Sequence, residues 1–194
     1  MPTADLPAQL PERVVCSIAA AVRYEVPANI VLAVAEKEGG APGQWVRNPN
    51  GTYDVGPMQF NTAYLAELAR FGIAPEDVAR AGCYAYDLAA WRLRGHLRRD
   101  AGDLWTRAAN YHSRTPRLNA AYRFDLMVRA ARWADWLEAR FATHDVTGRN
   151  ATPLAPDALV AAGVPGAQAA AATQRLQPPG TRRASGYVPR RLIQ

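Results

Sequence analysis

The segment P-A-N-I-V-L-A-V-A-E-K-E-G-G, residues 27–40, decides the fold of this chain. Its apolar residues recur at three- and four-residue spacing: Ile30, Val31, Val34 and Ala35. This spacing predicts an amphipathic helix. Pro27 suits its first turn, and Gly39-Gly40 ends it because glycine tolerates the left-handed backbone. Glu38 then lies on the last turn, at the negative end of the helix dipole, which favours a raised pKa for its carboxyl group.

Helical and strand patterns continue on both sides of this segment. Upstream, apolar residues at the same spacing predict a first helix: Val14, Val15, Ile18, Ala19 and Val22. Downstream, Asn50-Gly51 is a strong hairpin signal, and we expect a small two- or three-stranded β element within residues 45–60. Helical periodicity returns over residues 62–71, 84–97, 104–111 and 118–140. The sequence therefore predicts a mainly α domain with one small β-hairpin.

The chain divides near residue 142. With 194 residues and 49% hydrophobic content it can bury one sizeable core, which we assign to a domain over residues 10–142. Residues 143–194 are rich in Pro, Ala, Gly and Arg and hold few large apolar side chains. Such a composition is typical of disorder, and we expect a disordered basic tail or linker there, with a short helix around residues 167–176.

The chain is basic, with a net charge of +6 and a pI near 9.7, and this balance favours an anionic partner. Nucleic acid, an acidic membrane and a cell wall that carries carboxylates all fit that description. No nucleic-acid-binding motif is present, so we do not expect nucleic acid as a partner. No run reaches the roughly 20 apolar residues of a transmembrane helix, and the N-terminus lacks the layout of a signal peptide. We expect a soluble chain whose export route the sequence does not reveal.

The two cysteines, Cys16 and Cys83, stand far apart in the sequence. They form no Cys-x-x-Cys pair and have no histidine at ligand spacing, so we expect no metal site and no cofactor. One disulfide or two free thiols remain as alternatives. A peptidase triad of Cys83, His112 and Asp103 is conceivable, but the sequence around Cys83 has no supporting signature.

The other histidines and the aromatic residues have ordinary interpretations. His96 and His144 are interpreted as solvated helix-surface residues. Trp45 and Tyr53 flank the predicted hairpin, where they could stack on sugar rings as part of a binding site. Four tryptophans at helical spacing are interpreted as core residues: Trp91, Trp105, Trp133 and Trp136.

Three stretches together resemble the transglycosylase branch of the lysozyme superfamily: E-G-G at 38–40, N-G-T-Y-D-V-G-P-M-Q-F-N at 50–61 and N-Y-H-S-R-T-P at 110–116. The likeness covers about residues 15–137 and is greatest to small members that serve conjugation, secretion and pilus machines. It implies a lysozyme-like α+β domain over residues 10–142 that acts as a peptidoglycan lytic transglycosylase. It also implies a periplasmic location, glycan strands and an envelope-spanning machine as partners, and a disulfide between Cys16 and Cys83.

The resemblance implies a role for each matching residue. Glu38 is the expected catalytic acid and base, and Tyr111 is expected to orient its carboxylate. His112 follows in the substrate groove, where many members carry Asn. The groove block supplies four further substrate-binding residues: Gly56, Met58, Gln59 and Asn61. Gly56 is expected to let the sugar approach the backbone, and Gln59 is expected to bind it through its amide.

The implied chemistry needs only one carboxyl group. Burial would keep Glu38 protonated near neutral pH, so that it can protonate the departing glycosidic oxygen. The ionised carboxylate would then remove the proton of the muramoyl C6 hydroxyl, which closes onto C1 and gives a 1,6-anhydro sugar. Glu36 is the nearby rival, but two residues away on a helix it points to a different side.

Asp54 leaves a second enzyme class open. A helix-ending Glu, a hairpin and then D-x-G-x-x-Q also resembles animal lysozymes, which hydrolyse the bond with two carboxylates. In that case Asp54 would support catalysis by stabilising the transition state or holding a water. We adopt the alternative interpretation of Asp54 as a turn-stabilising residue of the hairpin. A wall-binding module without activity is the third alternative, although Glu38 and Tyr111 argue against it.

Overall fold

The computed structural model describes residues 11–145 and 190–192, in which helices surround a buried central helix and a small sheet flanks them. The helices are α1 Glu12–Tyr24, α2 Ala28–Glu38, α3 Thr62–Leu68, α4 Pro75–Ala79, α5 Tyr84–Arg99, α6 Leu104–Ala109 and α7 Pro116–Glu138, with a 3-10 turn at Ala69–Phe71. The strands are β1 Trp45–Arg47, β2 Tyr53–Val55, β3 Phe60–Asn61, β4 Thr143–Asp145 and β5 Arg190–Leu192. The predicted mainly α fold with a small β element is confirmed.

The central helix is α2, which contacts α1, α5 and α7. Every residue from Ala28 to Ala35 is buried, so this part of the helix is enclosed on all sides rather than amphipathic as its spacing predicted. The predicted inner face of α1 is also partly wrong, since Val15 is 48% exposed and Ser17 is fully buried. Helix α2 brings Glu38 to the surface only at its C-terminal end.

The first sheet has the order β1-β2-β3 and is antiparallel throughout. Asp54 lies at its centre, opposite Val46 on one side and Asn61 on the other. The turn between β1 and β2 is closed by backbone bonds from Asn48 N–H to the Thr52 carbonyl and from Gly51 N–H to the Asn48 carbonyl. The predicted β element is therefore present with three strands.

A disulfide joins Cys16 of α1 to Cys83, the residue that precedes α5. The bridge that the resemblance implied is thus present, and the alternative of two free thiols is excluded. It ties together two helices that also pack against each other. Disulfides persist in oxidising compartments, which agrees with an exported protein.

The predicted boundary at residue 142 needs correction. Strands β4 and β5 both lie within the predicted tail, and they pair antiparallel with His144 opposite Arg191. Strand β5 also contacts α1 and α2, so these two strands belong to the domain. The sequence did not indicate them because neither short strand has apolar alternation. Residues 146–189, including the helix expected around 167–176, lie outside the described residues.

Candidate active site

A cleft of about 660 Å³ opens where the end of α2 faces the first sheet, and we call it the Glu38 cleft. Helix α2 ends here because Gly39 takes the left-handed conformation, with φ of 59°. The cleft wall includes Glu38, Asp54, Gln59, Asn61, Arg92 and His112. Six of the predicted site residues, Tyr111 among them, are therefore brought together around one cavity. Its volume is in the range of small-molecule binding sites.

The pKa of the Glu38 carboxyl group is strongly raised. Burial raises its pKa from 4.5 to about 7, against the lowering effects of the Tyr122 hydroxyl and the Arg92 guanidinium. The negative charge of Asp54 adds a smaller increase. The predicted raised pKa is thus present, and its main cause is desolvation, as the expected burial of the carboxyl group implied. Such a group holds its proton near neutral pH and can act as a general acid.

The hydroxyl group beside Glu38 belongs to Tyr122, not to Tyr111. Tyr122 donates a hydrogen bond of 2.6 Å to Glu38 Oε1, and its own pKa is raised well above 10 by burial and by the Glu38 charge, so it remains a donor. The Tyr111 hydroxyl instead donates to the Met58 carbonyl at 3.1 Å. The expectation that Tyr111 orients the carboxylate directly is corrected accordingly. Tyr111 contributes to the cleft wall and supports the loop that carries Met58.

The sequence analysis did not identify Tyr122 as a site residue, although its spacing on α7 indicated a buried position. Tyr122, Leu126 and Ala130 recur every four residues and are all buried along one face of α7. That periodicity places Tyr122 on an inner face, but it does not say that α7 packs against α2. His112 stacks on the Tyr122 ring, with centroids 4.8 Å apart and planes 5° apart. His112 therefore lies in the cleft, as predicted, beside the hydroxyl that contacts Glu38.

Two of the predicted substrate-binding residues are structural. Gly56 is buried with φ of 71°, and a Cβ there would lie 2.1 Å from the Val78 carbonyl oxygen. Its glycine is required by packing against α4 and not by approach of a sugar. Met58 is 0% exposed and belongs to the core, so its side chain does not line the groove. Both expectations came from motif position, which does not distinguish a loop's outer residues from its inner ones.

Gln59 and Asn61 do line the Glu38 cleft. Gln59 donates from Nε2 to the Gly56 carbonyl at 2.8 Å, while its Oε1 has no hydrogen bond to any described residue. Asn61 donates from Nδ2 to Asp54 Oδ1 at 2.9 Å, and its Oδ1 accepts from Ala63 N–H at the start of α3. Gln59 thus offers an acceptor to a ligand, and Asn61 fixes the Asp54 carboxylate.

The Asp54 carboxylate accepts a hydrogen bond from Asn61 of β3 and makes none directly to the β1–β2 turn, so the structure does not show the turn-stabilising role that we expected for it. The turn is held by Asn50 Oδ1, which accepts from the Thr52 amide and hydroxyl, and by Asn48 Nδ2, which donates to the Thr52 hydroxyl. Asp54 lies two residues beyond, on β2, and lines the same cleft as Glu38. Its position agrees with a supporting role at the site.

Arg92 of α5 is a second residue that sequence reasoning missed. Its guanidinium lies over the Tyr64 ring at 4.2 Å and over the Tyr111 ring at 4.7 Å, and it lines the Glu38 cleft. Its positive charge lowers the pKa of Glu38. No local motif marks an arginine of this kind among the many arginines of the chain.

The rival acid Glu36 is structural. Its Oε1 accepts from Arg129 and Arg132, and its Oε2 accepts from the Trp133 indole N–H at 2.8 Å. These bonds hold α2 to α7 on a side away from the cleft, as the helical spacing predicted. Glu38 is left as the titratable group of α2 that faces the cleft.

The other aromatic and histidine side chains differ in exposure, and only some lie where the sequence predicted. Trp45 and Tyr53 are 43% and 37% exposed with rings 6.1 Å apart, so both are available for stacking. His96 is buried and bonded to Asp100, so its assignment to the solvated surface was wrong. Trp91 is 43% exposed and was wrongly assigned to the core. The bridged Cys83 cannot serve a peptidase triad.

No metal-binding cluster and no membrane-spanning helix occur in the part of the chain that the structure describes. Specifically, residues 11–145 and 190–192 contain no group of three or more His, Cys, Asp or Glu side chains that could hold a metal ion. The same residues contain no helix that is long and apolar enough to cross a membrane.

The chain is similar to two curated proteins. Both are called Protein IpgF, one from Shigella flexneri and one from Shigella sonnei, and each is 31% identical to this chain over 101 residues. The matching region is 52% of this chain and 66% of each relative, so it spans just under two thirds of their length. No protein-family model matches the chain. The name IpgF states no activity, so the similarity by itself assigns none.

Proposed function

We propose that this chain is a peptidoglycan lytic transglycosylase that cleaves the β-1,4 bond between MurNAc and GlcNAc and forms 1,6-anhydroMurNAc. One observation carries the proposal: Glu38 ends the buried helix α2 inside a cleft, with a pKa raised to about 7 by burial. A carboxyl group with that pKa can donate a proton near neutral pH and accept one back in the same turnover. The motif resemblance adds the substrate class.

The reaction uses Glu38 twice. In the first step the protonated carboxyl gives its proton to the glycosidic oxygen, and the bond from that oxygen to the muramoyl C1 breaks. In the second step the resulting carboxylate takes the proton of the C6 hydroxyl, whose oxygen bonds to C1. The Tyr122 hydroxyl and the Arg92 charge both favour the ionised carboxylate between the two steps.

A hydrolytic muramidase is the second candidate, because Asp54 lines the cleft together with Glu38. In that mechanism a second ionised carboxylate supports the transition state, and water attacks C1. The hydrogen bond from Asn61 would hold Asp54 in place for such a role. The motif resemblance favours the lyase, and in that route attack by the tethered C6 hydroxyl on C1 is effectively intramolecular.

The cellular setting follows from the substrate. Peptidoglycan lies outside the cytoplasmic membrane, so we propose a periplasmic location, with which the Cys16–Cys83 disulfide agrees. We also propose that the enzyme opens the wall locally for an envelope-spanning secretion, conjugation or pilus machine. The basic charge of +6 favours association with a wall that carries carboxylates.

Glu38→Gln should abolish turnover while leaving the fold intact, since the amide keeps the shape and loses the transferable proton. We expect the rate on purified sacculi to fall by a factor of at least ~100. Mass analysis of the released muropeptides should find anhydro ends from the wild type. Wild-type rates in the Gln variant would contradict the assignment of Glu38 as the catalytic acid and base.

Two further variants complete this experiment. Glu36→Gln is the matched control, and it should melt at a lower temperature but cleave normally, because Glu36 holds α2 to α7. Asp54→Asn separates the two enzyme classes, provided that the variant folds. Substantial activity with anhydro products supports the lyase, whereas reducing ends that disappear in Asp54→Asn would establish the two-carboxylate muramidase.

A further inference from the structure

A second cavity adjoins the Glu38 cleft, and its wall is rich in arginine. It has a volume of about 500 Å³, lies between α3, α5 and the residues before α7, and shares Asn61 and Arg92 with the cleft. Because two residues line both cavities, a polymer bound over Glu38 has a continuous path into this one. Its wall also carries Arg99 and Arg114, and we call it the arginine pocket.

Arg92 is only partly exposed, and no carboxylate of the described residues lies within salt-bridge distance of its guanidinium. Its guanidinium contacts the rings of Tyr64 and Tyr111, but within residues 11–145 and 190–192 it makes no hydrogen bond and no ion pair. Two aromatic faces hold the planar group while leaving its N–H donors unused. A partly buried guanidinium with free donors is suited to accept an anion from outside.

Arg99 is the second arginine with unused donors. It too makes no hydrogen bond or ion pair to any residue that the structure describes. A Cβ at Gly95 would lie 2.5 Å from Arg99 Nη2, so the guanidinium lies against the helix at the point where α5 has no side chain. Glycine is unfavourable in the middle of a helix, and here it leaves room for the charged group in the pocket.

The acidic residues of the pocket do not neutralise these two arginines. The Asp100 carboxylate is already hydrogen-bonded to three side chains: His96 Nδ1 at 2.7 Å, Asn110 Nδ2 at 2.9 Å and Arg114 Nη2 at 3.2 Å. Glu67 is exposed at the rim and makes no ion pair within the described part of the chain. The pocket therefore offers Arg92 and Arg99 as two free cations beside a glycan-sized cleft.

We propose that the arginine pocket binds a free carboxylate on the peptide stem of the glycan strand that occupies the Glu38 cleft. The choice of ligand rests on the proposed function, since the strand places stems beside the scissile bond. A guanidinium matches a carboxylate with two parallel N–H donors, which gives orientation as well as affinity. The enzyme would thus distinguish strands that carry peptides from bare strands.

The test measures binding by calorimetry, separately from cleavage. The probes are a GlcNAc-MurNAc disaccharide with a tripeptide stem, the same compound with its peptide carboxylates amidated, and the peptide-free disaccharide with its lactyl carboxylate amidated. None contains the MurNAc–GlcNAc bond, so the wild type can be used without turnover. We expect the free-carboxylate probe to bind about tenfold more tightly than the other two, because hydrogen bonds to charged groups are stronger than those between neutral groups.

Two variants locate the effect. Arg99→Gln removes one free cation and should lower affinity for the free-carboxylate probe about tenfold, with little change for the peptide-free disaccharide. Gly95→Ala keeps every charge and improves helix propensity, but its methyl group displaces the Arg99 guanidinium, so it should weaken the same probe. Arg98→Gln is the matched control, because Arg98 pairs with Glu25 and does not line the pocket.

The outcomes separate the two proposals. Loss of the preference in Arg99→Gln and Gly95→Ala, with Arg98→Gln unchanged, supports the carboxylate site. Equal binding of all three probes by the wild type, or a preference that survives in both pocket variants, overturns it. A wild type that cleaves no sacculi but keeps an Arg99-dependent preference would overturn the proposed lyase and leave the carboxylate site standing.

Discussion

At the scale of single residues, Glu38 is held between two opposing influences. Burial disfavours its charged form, while the Tyr122 hydroxyl and the Arg92 guanidinium favour it, and the balance leaves a pKa of about 7. A general acid is most effective when its pKa lies near the working pH. Since the proposed reaction needs both protonation states in one turnover, a balance near neutrality serves both steps.

Tyr122→Phe should raise the pKa of Glu38. It removes the hydrogen bond that lowers the pKa of Glu38 but keeps the ring that stacks on His112. In the wild type, activity should fall as the pH rises through about 7, because the acid loses its proton. In Tyr122→Phe this fall should occur at higher pH. The kcat at pH 7 should nevertheless decrease about tenfold, because the ionised carboxylate that forms between the two steps loses a hydrogen bond. The measurement is kcat against pH on solubilised glycan strands.

Tyr111→Phe is the control for that experiment. It removes the bond to the Met58 carbonyl and should cost about 1 kcal/mol of stability without moving the pH profile. A shifted profile in Tyr111→Phe together with an unshifted one in Tyr122→Phe would restore the role that the motif resemblance gave to Tyr111.

The sequence could locate Glu38 but not Tyr122, for a physical reason. Glu38 is defined locally, by a helix that ends in two glycines. The bond from Tyr122 to Glu38 joins residues 84 positions apart, and it exists only because α7 packs on α2. Arg92 is similar, since its surroundings are two rings from other parts of the fold. Contacts of this kind have no local pattern to indicate them.

At the scale of elements, two glycines let three parts of the chain approach closely. A Cβ at Gly40, just after α2, would lie 2.2 Å from the Gly56 carbonyl oxygen. A Cβ at Gly56 would in turn lie 2.1 Å from the Val78 carbonyl oxygen of α4. The end of α2, the loop before β3 and α4 are therefore stacked backbone on backbone. This stacking sets the distance between Glu38 and the sheet side of its cleft.

Gly56→Ala should destabilise the protein strongly. The new methyl group meets backbone rather than a flexible side chain, and φ of 71° is unfavourable for alanine. We expect a loss of at least about 2–4 kcal/mol in the free energy of unfolding, measured by urea titration. If Gly56 instead served sugar binding, as its motif position predicted, the variant would keep its stability and lose affinity for glycan.

Gly51→Ala separates packing from backbone strain. Gly51 also has a positive φ, 84°, but a Cβ there would meet nothing within 4 Å. Its substitution should therefore cost only the conformational strain, about 1 kcal/mol. Comparable losses in the two variants would contradict the backbone stacking of α2, the loop and α4.

Which elements the sequence indicated depended on their length and pattern. The long helices α5 and α7 were predicted within a few residues because their periodicity is sustained. The five-residue α4 was missed, since it is too short to show a period. The pair β4 and β5 was missed because its partners are 45 or more residues apart and neither strand alternates. Short elements are specified by what they contact, which the local sequence does not encode.

At the scale of the whole molecule, the perturbed Glu38 couples function to stability. The folded protein holds the Glu38 proton up to about pH 7, whereas the unfolded chain releases it near 4.5. Between these values the folded state binds more protons, so the Glu38 contribution to stability is fully present below pH 4.5 and is lost as the pH rises through about 7. Burial lowers the pKa values of His96 and His112, which act in the opposite direction.

The stability difference between Glu38→Gln and wild type should therefore depend on pH, because both proteins share the histidines and differ only at Glu38. Gln mimics the protonated carboxyl and does not titrate. We expect the variant to gain about 1–3 kcal/mol relative to wild type between pH 4 and pH 8, with the change centred in the interval where Glu38 ionises. Urea unfolding at several pH values, with the disulfide intact, measures it. A difference that stays constant would mean that Glu38 titrates like an exposed carboxyl, and would remove the observation on which the proposed enzyme rests.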